Sequence, residues 1–369
     1  MTKFNTQNER IKRAYFTYLE EAKGKAPSSV DQVAAAIADF EKTTKYLDFK
    51  KFHIEQAKAF KANLAKQMNK ETGKPLAIAT IYSRLMNVKA FFHWLAGQSG
   101  FKSRISYSDC DYFNSSANDA RIAQASREMP YPTLAQVHHV LRTMPNETDF
   151  QRRDRAIIAT TLLIGARDDA LASLSIKHFD LEKRMVFQDA REVRTKRRKT
   201  MLTDFLGVGG NAETIVRDWI AYLKIEKLFG PDDPAFPPSE MGLGKDGLFT
   251  AIGFRRTHWK NADPIRKAFR FGFEAAGLPY FHPHSIRHTL AAVGEKICPT
   301  PEAFKSWSQN LGHDDVMTTF SSYGPVSANR QSEILRSIKF DDDEAKTAND
   351  DPNQDEIARV LAYFHRKAS

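Results

Sequence analysis

Cysteine is nearly missing: Cys110 and Cys298 are the only two in 369 residues. They lie far apart and match no zinc-ligand or CxxC spacing, so the sequence argues against a disulfide framework and is best read as carrying two partly buried thiols. No phosphate-cradling glycine loop occurs, so ATP use is not indicated. No apolar run approaches the ~20 residues needed to cross a bilayer. Residues 1–10 contain no apolar core segment of the kind a secretory signal needs, and a cytoplasmic protein is the expectation. There is no internal repeat and no long low-complexity tract.

What remains is a basic, moderately apolar chain. Hydrophobic residues make up 41%, enough for two domains with their own cores. The formal net charge is +10, and it is unevenly spread. Residues 340–369 hold eight acids and four bases, net −4, which leaves +14 on residues 1–339. A basic body of this size suits a polyanion, because each phosphate it neutralises releases condensed counterions.

The periodicity predicts a mainly α chain with a small antiparallel β element. Thr6-Gln7-Asn8-Glu9 reads as a capping box ahead of a first helix. A second helix is expected from about Ser28-Ser29, and a third over about residues 54–69. The fourth follows Pro75, with Ile81, Leu85, Val88, Phe92 and Leu95 at helical spacing, and ends near Gly97. Phe91, Phe92 and Trp94 in it are read as core rather than as a DNA-stacking face, because their period is that of a buried stripe. Residues 101–132 turn polar and end at Pro130-Tyr131-Pro132, which reads as a linker. Helical pattern resumes at Thr133. It is interrupted by short strands at 185–187, continuing through Val193, and at 200–203, joined by a basic turn. Residues 230–248 read as a loop. After Phe340 an acidic run leads to Ile357, Val360, Leu361 and Phe364 at the spacing of a short amphipathic helix, which needs a surface to pack on.

Five side chains stand out for chemistry. Arg167 closes Ile164-Gly165-Ala166-Arg167 after an apolar helix. His284 and Arg287 lie three apart in His284-Ser285-Ile286-Arg287-His288-Thr289, so on a helix they share one face with His288. Leu311-Gly312-His313 follows, then Tyr323. His282, His284 and His288 are a poor metal set, since Pro283 interrupts the first pair and no acidic or cysteine cluster accompanies them. Two arginines, two histidines and a tyrosine supply what metal-free attack on a DNA phosphate requires: a nucleophile, fork-shaped cationic donors for the phosphate oxygens, and groups that move protons.

In this order the motifs resemble the tyrosine recombinase (phage-integrase-like) family, over nearly the whole chain. The resemblance implies an N-terminal helical core-binding (SAM-like) domain in residues 1–100, an interdomain linker at 101–132, a catalytic domain at 133–338, and an acidic linker with a C-terminal helix at 339–369. The two domains would clamp duplex DNA. Arg167, His284 and Arg287 would hold the scissile phosphate, with His284 taking the tyrosine proton and His313 a further donor. Tyr323 would be the nucleophile, forming a 3′-phosphotyrosyl link and freeing a 5′-hydroxyl. The general acid would be a lysine on the hairpin turn; Lys196 fits best and Lys199 is the alternative. The family usually carries an acid three residues after its first arginine. That position is Ala170 here, so Asp168 or Asp169 is expected to orient Arg167 instead. Tyr323 lies ten residues after His313, one more than the commonest family spacing. No metal or cofactor is implied. The working partners would be a double-stranded DNA site, a homotetramer on that DNA and accessory DNA-bending proteins, and the protein would be a bacterial or phage one, cytoplasmic and associated with the nucleoid. A type IB topoisomerase-like enzyme and a non-catalytic DNA-binding protein on the same fold are the rival readings. The C-terminal helix would dock on a neighbouring protomer or fold back on its own.

Overall fold

The computed structural model describes residues 4–70, 72–125, 129–244 and 247–313. Tyr323 and the C-terminal acidic and amphipathic segment lie outside the described residues. The chain divides into two compact units, Met1–Ser126 and Arg127–Ser369, each with its own hydrophobic cluster. Among the described residues no helix is long and apolar enough to cross a membrane. Both cysteines are free, Cys110 buried and Cys298 half-buried.

The first unit is built on α1 (Thr6–Thr17), α2 (Pro27–Thr43), α3 (Ile54–Lys66) and α4 (Ile78–Ala96). The first cap differs from the expected Thr6 capping box. Asn5 caps α1, its side chain accepting from the N–H groups of Gln7 and Asn8. Asparagine is at least as good a cap as threonine and occupies the position one residue earlier. The core is aromatic. Phe91 and Phe92 are fully buried, and Phe92 meets Phe40 edge-on with ring centres 5.1 Å apart. The helical stripe on α4 is therefore core, as its period indicated.

Residues 101–125, expected within the linker, fold onto this unit instead. Phe101 and Ile105 are buried in the same core. A 3-10 helix at Tyr107–Phe113, opened by a Ser106/Asp109 capping box, buries Cys110 and Phe113. Helix α5 (Ala117–Gln124), capped by Ser116, follows and packs along α4. The polar composition hid this because only a few apolar side chains face inward.

The second unit is centred on α7 (Asp149–Ile164), which follows α6 (Leu134–Thr143). Reciprocal capping boxes, Thr133 with Gln136 and Thr148 with Gln151, fix the starts of both. Ala156 to Ile164 are buried in succession, which marks α7 as the central helix. After the short α8 (Asp168–Leu171) come β1 (Phe179–Asp180), β2 (Met185–Gln188) and β3 (Met201–Asp204), an antiparallel sheet in the order β1-β2-β3 with Gln188 opposite Met201. The second strand stops at Gln188 rather than running to Val193. Helix α9 (Ala212–Ile225) follows, then a hairpin of β4 (Ser239–Leu243) and β5 (Phe249–Phe254). This hairpin lies partly in the stretch read as a loop. Its glycines and exposed apolar residues give no alternating pattern, and cross-strand pairing alone defines it. Helices α10 (Asp263–Ala275), α11 (Ser285–Ile297) and α12 (Pro301–Asn310) complete the described part, with α9, α10 and α11 packed against α7.

Because the two units have separate cores, Phe92→Ala is expected to destabilise the first by about 3–5 kcal/mol and to leave the second unchanged. Urea unfolding followed by near-ultraviolet circular dichroism checks this: one transition should move to lower urea and the other stay.

Candidate active site

Helix α7 ends at Gly165, whose φ of 58° is left-handed. A β-carbon there would stand 2.5 Å from Leu311 Cδ2 and 3.2 Å from Leu290 Cδ1, so glycine is needed for conformation and for space together. The turn leaves the Gly165 carbonyl facing α11. It also delivers Arg167, half-buried, as the cap residue of α8.

Arg287 sits in the first turn of α11 with only 4% of its surface exposed. Its guanidinium donates to the carbonyls of Gly165 and Leu311, and Nη2 lies 2.9 Å from His313 Nε2. A guanidinium only donates, so this contact makes His313 Nε2 an acceptor and leaves its proton on Nδ1. A single buried charge thus gathers the end of α7, the start of α11 and the segment after α12. The neighbouring Thr289 hydroxyl donates to the Pro132 carbonyl and anchors α11 further.

The segment bearing His313 is also tied to the sheet. Asn310 bonds the Asp204 backbone twice, at 2.8 and 3.0 Å, and a β-carbon on Gly312 would fall 2.3 Å from Met201 Cε. This explains the glycine in Leu311-Gly312-His313. The β2–β3 turn then brings Lys196 to a small cavity whose walls include Gly165, Arg167, Thr195, Met201 and Arg287.

His284 occupies the cap position of α11, its ring 5.5 Å from His288 and perpendicular to it. Partial burial, then the charges of Arg287, His288 and Arg167, hold its imidazole down to about 4. Burial with Arg287 and Arg167 does the same for His313, again to about 4. His284 keeps an open face to solvent. Both rings are neutral near pH 7.

Of the six residues singled out in the sequence, Arg167, Lys196, His284, Arg287 and His313 converge here; Tyr323 lies outside the described residues. The acids expected to orient Arg167 have other partners: Asp168 bonds Arg266 at 2.9 Å and Asp169 bonds Arg194 at 2.8 Å. Sequence reading did not find the carbonyls of Gly165 and Leu311, since backbone acceptors leave no residue signature. It also passed over Asn310, Met201 and Arg194. Among the described residues no group of three or more His, Cys, Asp or Glu is arranged to hold a metal ion.

No protein-family model matches the chain. It is 25% identical over 247 residues to the tyrosine recombinase XerC of Escherichia coli O127:H6, covering 67% of this chain and 70% of that protein. The Tn1549 transposon integrase in complex with transposon right end DNA superposes with a TM-score of 0.57 at 15% identity, over 89% of this chain and 99% of that one. The XerH site-specific recombinase bound to a palindromic difH substrate superposes with a TM-score of 0.56 at 15% identity, over 88% and 84%. These structures share the fold of the present chain.

Two outcomes follow. Gly165→Ala should lower stability by about 1–3 kcal/mol through overpacking against Leu311, read as a fall in thermal midpoint. In imidazole NMR titrations, His284 and His313 should begin to protonate well below the ordinary value of 6.5. Their folded-state values are depressed, so the linked stability is fully present above about 6.5 and is lost as pH falls towards 4. His284→Gln should flatten that loss.

Proposed function

We infer, from the likeness of the chain to the tyrosine recombinase XerC and from the geometry of the site, that it is a site-specific DNA recombinase, cutting and rejoining duplex DNA without a metal or a nucleotide cofactor. The observation that carries the reading is the hub at Arg287. A buried guanidinium joins three distant segments and faces a cavity shared with Arg167 and Lys196.

The reaction follows from these groups. The Tyr323 oxygen attacks phosphorus, a P–O bond forms to the tyrosine, and the bond to the 5′-oxygen breaks. Arg167 and Arg287 hold the non-bridging oxygens, and their planar forks match the charge that builds there. The Nδ1–H of His313 adds a donor. Lys196 protonates the leaving 5′-oxygen, and neutral His284 accepts the tyrosine proton. A free phenol has a pKa of about 10, so the nucleophile needs both that base and the arginine field. The bound phosphate in turn offsets the arginine charges around His284, which raises the basicity of the imidazole only once substrate is present. A 5′-hydroxyl from another strand reverses the step.

The N-terminal helical unit and the catalytic unit each bind the duplex, and four protomers act on two sites. Basic side chains supply most of the non-specific affinity, so binding should weaken steeply with salt.

Covalent trapping tests the chemistry. The protein is incubated with nicked duplexes tiled across the DNA flanking its own gene, and SDS-resistant adducts are sought. Wild type should form an adduct on the duplex carrying its site, and Tyr323→Phe should form none while binding the same DNA. Binding without an adduct on every bound duplex would sink the enzymatic reading in favour of a DNA-binding protein.

A further inference from the structure

The Lys196 turn holds only one short, distorted 3-10 turn, Lys196–Arg198. Between β2 and β3 it passes through Arg197 and Arg198, both at positive φ, 58° and 50°, which is uncommon for side chains of this kind. Something outside the turn must set the position of Lys196. Two attachments do so. On one side Glu192 bonds Lys177 at 2.8 Å and lies 3.1 Å from His178 Nε2. On the other, the backbone N–H of Arg194 donates to Ser173 Oγ at 2.9 Å, and its Nε donates to Asp169 Oδ1 at 2.8 Å. Asp169 belongs to α8, two residues after Arg167. The residue beyond it, at the place where the family usually carries an acid, is Ala170.

We propose that the Arg194–Asp169 pair is a positioning device that couples the Lys196 turn to the Arg167 turn, setting the general acid against the phosphate clamp. The proposal rests on the recombinase reading and on Lys196 as its acid. The pair links the segments close to both side chains: Arg194 is two residues from Lys196, and Asp169 two from Arg167. Its contribution is placement rather than folding. The Arg194 side chain is 36% exposed and that of Asp169 50%, and an ion pair so open to solvent adds little to stability. A displacement of the order of 1 Å at a proton donor, by contrast, costs rate steeply. Ser173 strengthens the geometry, because its hydroxyl donates to the carbonyls of Asp169 and Ala170 while accepting from Arg194, so the acid, the serine and the arginine move as one piece.

The chemistry offers a readout that a merely structural role would not move. When P–O5′ breaks, its electron pair goes to the 5′-oxygen, which takes a proton from the Lys196 ammonium. If sulfur replaces that oxygen, it leaves as a thiolate and needs no proton. The experiment measures single-turnover adduct formation on the duplex identified by trapping, made with either a 5′-oxygen or a 5′-bridging phosphorothiolate at the scissile position. With oxygen, Arg194→Ala and Asp169→Asn should slow adduct formation roughly ten- to a hundredfold, part of the ~10²–10⁴ a placed general acid supplies. With sulfur, both should return to the wild-type rate, as should Lys196→Ala, and Arg194→Lys should recover part of the oxygen rate. Arg167→Ala should stay slow on both substrates. Asp169→Asn keeps side-chain volume and guards against a folding defect in the arginine variant. If sulfur rescues Lys196→Ala but neither member of the pair, or if Arg194→Ala cuts the oxygen substrate at the wild-type rate, the coupling is wrong and the acid assignment stands. If sulfur fails to rescue Lys196→Ala, the acid assignment falls and the coupling falls with it.

Discussion

The second unit depends on one buried charge. Arg287 is almost wholly removed from water, and an unpaired guanidinium there would be strongly destabilising, by about 3–5 kcal/mol. The carbonyls of Gly165 and Leu311 and the ring of His313 meet it. All three are dipoles. They fix the direction of the guanidinium and leave its charge to be felt by a neighbouring anion. The same geometry dictates the sequence around it: glycine at 165 so that Leu311 can approach, glycine at 312 so that Met201 can, and a neutral imidazole at 313 that can accept.

That constraint explains the electrostatics of the site. His284 and His313 are pushed down by burial and by the same arginines that would hold a phosphate. In the resting protein the imidazoles are therefore weak bases beside strong cations. An anion in the cavity would offset those cations and raise the basicity of both rings.

Much of this was legible in the sequence where side chains act. The spacing of His284 and Arg287, the Leu311-Gly312-His313 segment and the helix-ending glycine before Arg167 all pointed to residues that the fold brings together. The α4 stripe was legible because burial leaves a period. What was illegible is equally physical. Backbone carbonyls carry no residue identity, so two of the partners of Arg287 had no signal. The pairing of Asp169 with Arg194, and of Asp168 with Arg266, depends on which of several nearby arginines arrives, and spacing does not decide that. The segment at 101–125 looked like a linker because it buries only a few side chains, and the β4–β5 hairpin looked like a loop because its faces do not alternate in polarity.

The hub also fixes when, in the life of the chain, the site can exist. Gly165, Arg287 and Leu311 are separated by more than a hundred residues and then by a further two dozen. Closing such long loops comes late in folding, after local helices have formed. A ribosome-bound chain that has emerged only through the sheet already carries Arg167 and Lys196 but has no Arg287 to organise them. Long-range topology thus works as a timer: a half-made copy carries the basic turn but not the assembled hub.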